Sequence, residues 1–421
     1  MKQHPGGGEI SDTEQENMLS LLGLYLHIPF CRSKCSYCDF YSMPCAERQE
    51  ARKLMQSYTD ALLLHMEDYA GAASHHAVDT VFIGGGTPTV LPVSMLRILL
   101  DQVDRCFNLT ENAEITIEAN PETVSRSSLR SLRRAGVNRL SMGLQSANDS
   151  ELRLLGRIHD SNGFGAAFAD ARAAGIGNIN IDLMYGIPGQ TPESLRRTLE
   201  YAVALEPEHI SLYGLKIEEN TPFGRQREAL EPYLPDEDTE LEMYLDAIDF
   251  LASSGFIQYE ISNFAREGYA CRHNLKYWRC EEYLGLGPAA HSYLGGVRFA
   301  YTRNFSDYIK ALEEPDKGVI ILSERSRIDE DERAGEYIML GLRLTEGVDM
   351  GSFAERFGFD FTAADNVRRK LHMYVENGFM TADAGRLALT PKGMFVSNYI
   401  ISSLIPCDRE EYAGLRSGTE L

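Results

Sequence analysis

The chain has 421 residues, 43% of them hydrophobic, which is enough for a substantial core and for two domains, a large one and a smaller C-terminal one. A formal charge of −21 argues against sequence-independent nucleic-acid binding and against holding an anionic membrane surface, since both rely on Lys and Arg. Eight cysteines in a chain this long are not a disulfide framework, and they point to a reducing compartment, the cytoplasm.

Residues 1–20 carry glycine and acidic residues instead of a basic leader, so a disordered lead is expected there. The uncharged run at 18–30 is too short to span a bilayer and contains Pro29; no transmembrane or export signal is visible. A first apolar run, 24–28, is read as a strand. It leads into Cys31-Arg32-Ser33-Lys34-Cys35-Ser36-Tyr37-Cys38, three thiols at C-x3-C-x2-C spacing. Three thiolates within eight residues can converge on one soft-metal centre. A zinc knuckle would want a fourth donor, and an iron–sulfur cluster held by three cysteines would leave one iron open. Cys45 is a candidate fourth ligand, but its distance from Cys38 and the intervening Pro44 speak against it.

Further β-rich runs follow at 78–83, 115–119, 137–144, 176–184 and 209–215, each largely apolar on both faces, as parallel strands covered by helices require. Helical stretches are expected at 48–66, 93–107, 127–135 and 194–205, the third capped by Thr123 or Ser125 and ended by Gly136. Six βα units in a row imply an α/β fold, a partial or complete (β/α) barrel with its site at the C-terminal strand ends. A doubly wound open sheet is the alternative. The barrel is favoured because the suspicious residues are spread over successive units and do not gather at one switch point. These residues are Gly85, Gly86 and Thr87 after the second strand, Glu118 ending the third, Gln145 ending the fourth, then Arg157, and Asp182 on the fifth. The consecutive glycines let backbone approach a ligand, with N–H and C=O groups expected to be free to bind it. Glu118 and Asp182 interrupt apolar runs, where an unpaired carboxylate is costly.

Residues 25–40, YLHIPFCRSKCSYCDF, closely resemble the radical S-adenosylmethionine (SAM) superfamily and, within it, the oxygen-independent coproporphyrinogen III oxidase-like family. The resemblance extends through the Gly-Gly-Gly-Thr-Pro and Gly-Ile-Pro-Gly-Gln-Thr segments to about residue 223. It implies a [4Fe-4S] cluster on Cys31, Cys35 and Cys38. It also implies SAM bound by Tyr25, Gly85, Gly86, Thr87, Glu118, Gln145, Arg157 and Asp182, with backbone at Gly186 and Gly189 against the adenine. The implied chemistry is one-electron cleavage of the sulfonium, fed by a donor such as a flavodoxin or ferredoxin.

The family has two branches. Coproporphyrinogen III dehydrogenases, as the resemblance has it, carry a further cysteine two residues after the third and a longer N-terminal segment; here Phe40 stands at that position and only some twenty residues precede the first strand. The haem chaperone branch carries H-N-x-x-Y-W, matched by His273-Asn274-Leu275-Lys276-Tyr277-Trp278. The expected function is therefore delivery of haem to acceptor proteins, with His273 the haem contact, against the alternative of decarboxylating coproporphyrinogen III to protoporphyrinogen IX. Cys271 offers a sulfur ligand in the same segment, and His291 is a second candidate, read as structural. Tyr37, Phe40 and Tyr41 by the thiol loop would support a homodimer or pack inside, and haem acceptors at membranes would bring transient membrane contact.

The organisation expected is a lead at 1–20, a barrel core at 21–240, an extension carrying the H-N-x-x-Y-W segment at 241–325, and a helical domain at 326–421. Two helices and a short hairpin in the last part read as winged-helix-like. From residue 325 onward, 12 Lys/Arg face 16 Asp/Glu, so a packing or lid domain is expected and not a nucleic-acid reader.

Overall fold

The computed structural model describes residues 19–45, 49–313, 321–406 and 412. The expected lead, up to residue 18, and Cys407 lie outside the described residues. Six strands, β1 (Ser20–Ile28), β2 (His76–Gly85), β3 (Leu109–Ala119), β4 (Arg139–Gln145), β5 (Asn178–Tyr185) and β6 (His209–Gly214), lie side by side in parallel and in sequence order. An unreversed order is the winding of a barrel; a doubly wound sheet would turn back at a switch point. Among the described residues β1 and β6 do not pair, so the barrel is partial.

The strands are apolar on both faces because helices cover one side and the barrel interior the other; all seven residues of β4 are buried. The crossovers are α1 (Gln49–Ala70), α2 (Val93–Cys106), α3 (Arg126–Arg134), α4 (Asp149–Leu154), α5 (Ser161–Ala173) and α6 (Pro192–Ala204). Ser125 caps α3 by accepting from the Ser128 amide, while Thr123 belongs to a preceding 3-10 turn. Gly136, at φ +106, turns the chain from α3 toward β4.

The chain then extends both sheet edges. After α7 (Glu237–Ser253), β7 (Ile257–Gln258) and β8 (Asn263–Ala265) continue antiparallel beyond β6. The chain next passes through α8 (Arg272–Trp278) to the opposite edge. There β9 (Tyr283–Leu286) runs parallel to β1, followed by antiparallel β10 (His291–Leu294), β11 (Val297–Tyr301) and β12 (Leu322–Arg327). The crossing helix α8, which carries H-N-x-x-Y-W, plugs the barrel interior. Lys276 pairs with Asp79 at 2.8 Å, and Glu114 accepts from the Arg272 and His273 amides at 3.2 and 3.3 Å.

The C-terminal part packs helices Glu330–Gly341, Met350–Phe357 and Asp365–Glu376 against a three-stranded sheet with Met380–Asp383 and Arg386–Leu389 as its hairpin. Ala384 and Gly385, at φ +49 and +80, form the two-residue turn whose twist suits a tight hairpin. Phe353 and Phe361 centre this domain's own core, which reaches Tyr244 of α7. This is the winged-helix-like arrangement expected. No helix among the described residues is long and apolar enough to cross a membrane.

Candidate functional site

The thiol loop hangs from the C-terminal end of β1 and is fixed from three sides. The Ser36 amide donates to the Leu155 carbonyl at 3.0 Å, the Phe223 amide to the Ser36 carbonyl at 2.9 Å, and the Cys45 amide to the Cys31 carbonyl at 2.7 Å. Below the loop, the amides of Gly86 and Thr87 donate to the carbonyls of Ile28 and Phe30, and the Gly85 amide donates to Glu118 Oε2 at 3.1 Å. The expectation of free N–H groups here is therefore corrected: the Gly86 and Thr87 donors hold the end of β1 and the base of the thiol loop, and the Gly85 donor is spent on Glu118. A Cβ on Gly86 would lie 2.7 Å from the Phe30 carbonyl oxygen, which is backbone and cannot swing aside. Gly86→Ala is expected to cost about 1–3 kcal/mol and to loosen the loop, measurable as a lowered Tm together with poorer cluster retention.

Cys31, Cys35, Cys38, Gly85, Gly86, Thr87, Glu118, Gln145, Arg157 and Asp182 all line one cavity of about 700 Å³, counting its open mouth. Tyr25 lines an adjoining cavity, and His273 lines neither. Cys45 is buried outside the thiol cavity. Gly186 and Gly189 also lie outside its lining; their turn is held instead by the Gln190 side chain, which reaches Glu151 and the Met184 carbonyl.

Arg157 ties the two halves of the site together. Its Nη1 lies 3.5 Å from Cys35 Sγ, while Nη2 donates to Asn120 Oδ1 at 2.6 Å and to the Gly143 carbonyl at 2.9 Å. Asn120 in turn donates to Thr87 Oγ1, which sits 3.7 Å from Cys31 Sγ. The sequence reading passed over Asn120 and Gly143, although Asn120-Pro121 directly after a strand was a visible signal. A Cβ at Gly143 would meet Gln145 Nε2 at 2.7 Å and Arg157 Nη2 at 2.9 Å, so a larger residue there would displace the polar ends of both side chains. A register shift between Gly143 and Gln145, with Gln145 at φ +68, accompanies the turn of the glutamine amide into the cavity.

The carboxylates sit in low-dielectric surroundings. Burial, then the neighbouring Asp182, pushes Glu118 up to about 8. Asp182 is raised by burial against the hydrogen bonds it accepts from Asn180 and Ser141 at 2.8 and 3.1 Å. Burial likewise raises the Cys31 and Cys38 thiols, so cluster assembly must release protons.

Radical SAM superfamily sequences match residues 25–202, and the HemN C-terminal domain matches residues 328–396. A protein of Bacillus subtilis named heme chaperone HemW is 35% identical over 383 residues, covering 90% of this chain and 98% of its own length. The Escherichia coli heme chaperone HemW is 34% identical over 385 residues, covering 90% and 97%. This chain belongs to the heme chaperone HemW family. Among solved structures, the Escherichia coli coproporphyrinogen III oxidase HemN, described as a radical SAM enzyme, superposes with a TM-score of 0.79 at 25% identity, covering 94% of both chains.

A radical SAM domain of this family implies a [4Fe-4S] cluster and SAM, and the cavity fits both. Among the described residues no three His, Cys, Asp or Glu side chains are gathered closely enough to hold one metal ion. A four-iron cube takes each thiolate at a different corner, so thiols spread around one cavity suit it better than they suit tetrahedral zinc. A cation, buried carboxylates and an amide on the remaining walls are the donor set a sulfonium amino acid nucleoside needs.

His273 is 1% exposed, and both its ring nitrogens are engaged, Nδ1 with Thr80 Oγ1 at 2.9 Å and Nε2 with Tyr277 OH at 2.8 Å. It stacks on Phe82 and Tyr25, with centroids 5.4 and 6.5 Å away. Both nitrogens thus have partners within the protein, and His273 lines neither of the two cavities described above. Cys271 is also fully buried, with its thiol 3.5 Å from Glu114.

Proposed function

We propose that this chain holds a [4Fe-4S] cluster on Cys31, Cys35 and Cys38, seats SAM beside it, and carries haem to acceptor proteins. The observation that carries the haem reading is the match to heme chaperones along nine-tenths of the chain, H-N-x-x-Y-W segment included. Phe40, 71% exposed where the dehydrogenase branch has cysteine, supports the chaperone over decarboxylation. Arg157 would hold the methionine carboxylate of SAM. Glu118, Asp182 and Gln145 would accept from its ammonium and ribose hydroxyls, and Tyr25 would close the wall toward the second cavity. Bound together, cluster and SAM supply one-electron chemistry at the sulfonium. The protein's part is to exclude water and orient the nucleoside.

In this reading the chain works in the cytoplasm. A flavodoxin or ferredoxin supplies electrons where SAM is cleaved, and acceptors at a membrane bring transient contact with it. The exposed Phe40 beside the thiol loop gives a homodimer an apolar anchor.

The test is anaerobic: the reconstituted chain is loaded with haem, mixed with an apo-acceptor, and followed by the acceptor's Soret absorbance. Transfer is expected. Many turnovers of coproporphyrinogen III to protoporphyrinogen IX in a parallel SAM-supplemented reaction would instead establish the dehydrogenase.

The pH dependence of SAM binding provides a second check. Glu118 is neutral below about 8 and must lose its proton to face a cationic nucleoside. Affinity is expected to fall by up to about tenfold for each pH unit below 8, with proton release measurable by calorimetry in buffers of different ionisation enthalpy. Glu118→Gln is expected to flatten that profile.

A further inference from the structure

The second cavity, about 430 Å³, shares Phe40, Gly85 and Glu118 with the thiol cavity and falls within the size range of small-molecule sites. Tyr41, Tyr277 and Tyr283 give it aromatic walls for a flat apolar ligand. Two polar side chains on its lining are open to a ligand. Arg303 is exposed, lies 5.6 Å from the centre of the Tyr41 ring, and forms no ion pair with a carboxylate among the described residues. His291 is exposed, and its ring makes no hydrogen bond among the described residues.

Elimination singles out His291 among the histidines near this space. His27 also lines the cavity, but its Nδ1 is 3.1 Å from Tyr25 OH and its Nε2 is 2.8 Å from the Tyr41 carbonyl. His273 lies beneath the floor with both nitrogens engaged. His291 opens β10 in register with Ala300, and the Tyr301 amide donates to the Ala290 carbonyl at 3.0 Å, so its backbone is rigid. A donor on a strand keeps its position better than one on a loop. None of the thiols in the described residues lines this cavity.

An available imidazole, aromatic walls and a guanidinium with no carboxylate partner among the described residues match a flat metallomacrocycle with anionic carboxylates. We infer that haem docks in this second cavity, with His291 as its axial ligand and Arg303 against a propionate; this rests on the haem-carrying reading above. The H-N-x-x-Y-W helix then serves as the floor. His273 positions Tyr277, which lines the cavity and packs edge-on against Tyr283 with centroids 4.6 Å apart. Asp39 on the same lining repels a propionate and so sets which edge of the macrocycle enters on the Arg303 side. Because Glu118 and Gly85 belong to both cavities, haem and SAM would sit side by side.

The test is a titration of ferric haem into the anaerobically reconstituted full chain. Wild type is compared with His291→Ala, His291→Gly, Arg303→Ala and His273→Gln, with far-UV circular dichroism confirming the fold of each. His291→Ala is expected to weaken binding at least tenfold and to shift the Soret band. Imidazole added to His291→Gly should restore the wild-type band, which a merely structural role would not produce. Arg303→Ala should weaken binding several-fold with the band unchanged, and His273→Gln should weaken it while leaving the axial-ligand signature intact. Haem bound by wild type and His291→Ala with the same affinity and spectrum would overturn this assignment and leave the haem-carrying reading standing. A wild-type chain that binds no haem would overturn both.

Discussion

Cys35→Ser is expected to emerge from anaerobic reconstitution with iron and sulfide at background, where wild type takes up about four of each per chain. The other described thiols cannot deputise. Cys45 is buried with its amide on the Cys31 carbonyl and does not line the cavity, Cys271 lies buried against Glu114, and neither Cys106 nor Cys280 lines the cavity. Loss should therefore be nearly complete. Cys45→Ser, in contrast, should keep its iron and its absorption near 400 nm. SAM affinity should fall with the cluster, because Arg157 loses the Cys35 thiol it now touches and keeps only Asn120 and Gly143. Iron and sulfide analysis of the two variants side by side decides the matter. Full cluster content in Cys35→Ser would remove the three-thiol centre on which the functional reading stands.

Much of this site could be read before any coordinates, because its residues follow strands one by one. Each βα unit delivers its C-terminal end to the same mouth, so a thiol loop after β1, glycines after β2 and Glu118 ending β3 converge by topology alone. What stayed hidden depends on contacts between distant segments. His273 reads as a haem contact from the H-N-x-x-Y-W motif and its aromatic neighbours. Its burial is set by Thr80, 193 positions earlier, and by the passage of α8 through the barrel. The edge strands β9 to β12 were hidden for the same reason, since the aromatic and glycine-rich stretch around 274–293 carries no simple period and its pairing partner β1 is remote. The glycines after β2 were recognised as a place of close approach, yet the approaching group includes the chain itself, the carbonyls of Ile28 and Phe30. Arg139 was missed altogether. It is 2% exposed inside β4, where burial works against its charge and Cys271 and Glu114 nearby favour it, and a lone arginine in an apolar run was the only hint.

That buried polar interior makes the fold acid-sensitive, and His273 is central to the effect. Burial, reinforced by Lys276 and Arg139, holds His273 down at about 3. Burial also lowers His65 to about 3 and His27 to about 4, and it lowers His209 well below the ordinary range. All four are neutral in the folded chain and charge only on unfolding. Their contribution is thus fully present above pH 6.5 and is lost as pH falls toward the folded values. Each such histidine costs about 2 kcal/mol of stability by pH 5. Glu118 at about 8 and Glu260 at about 7 act in the opposite sense, since the folded state takes up their protons first. These two carboxyls, and Asp182, which burial also raises, offset part of the loss. Tm should therefore drop steeply between pH 6.5 and 5, well above the range where ordinary carboxylates titrate. In His273→Gln, which retains an amide between Thr80 and Tyr277 but cannot take up a proton, the slope of stability against pH should shrink by about one proton. Thermal melts of both chains across that interval test this directly, and a Tm that stays level down to pH 5 would show that the buried histidines are already charged in the fold.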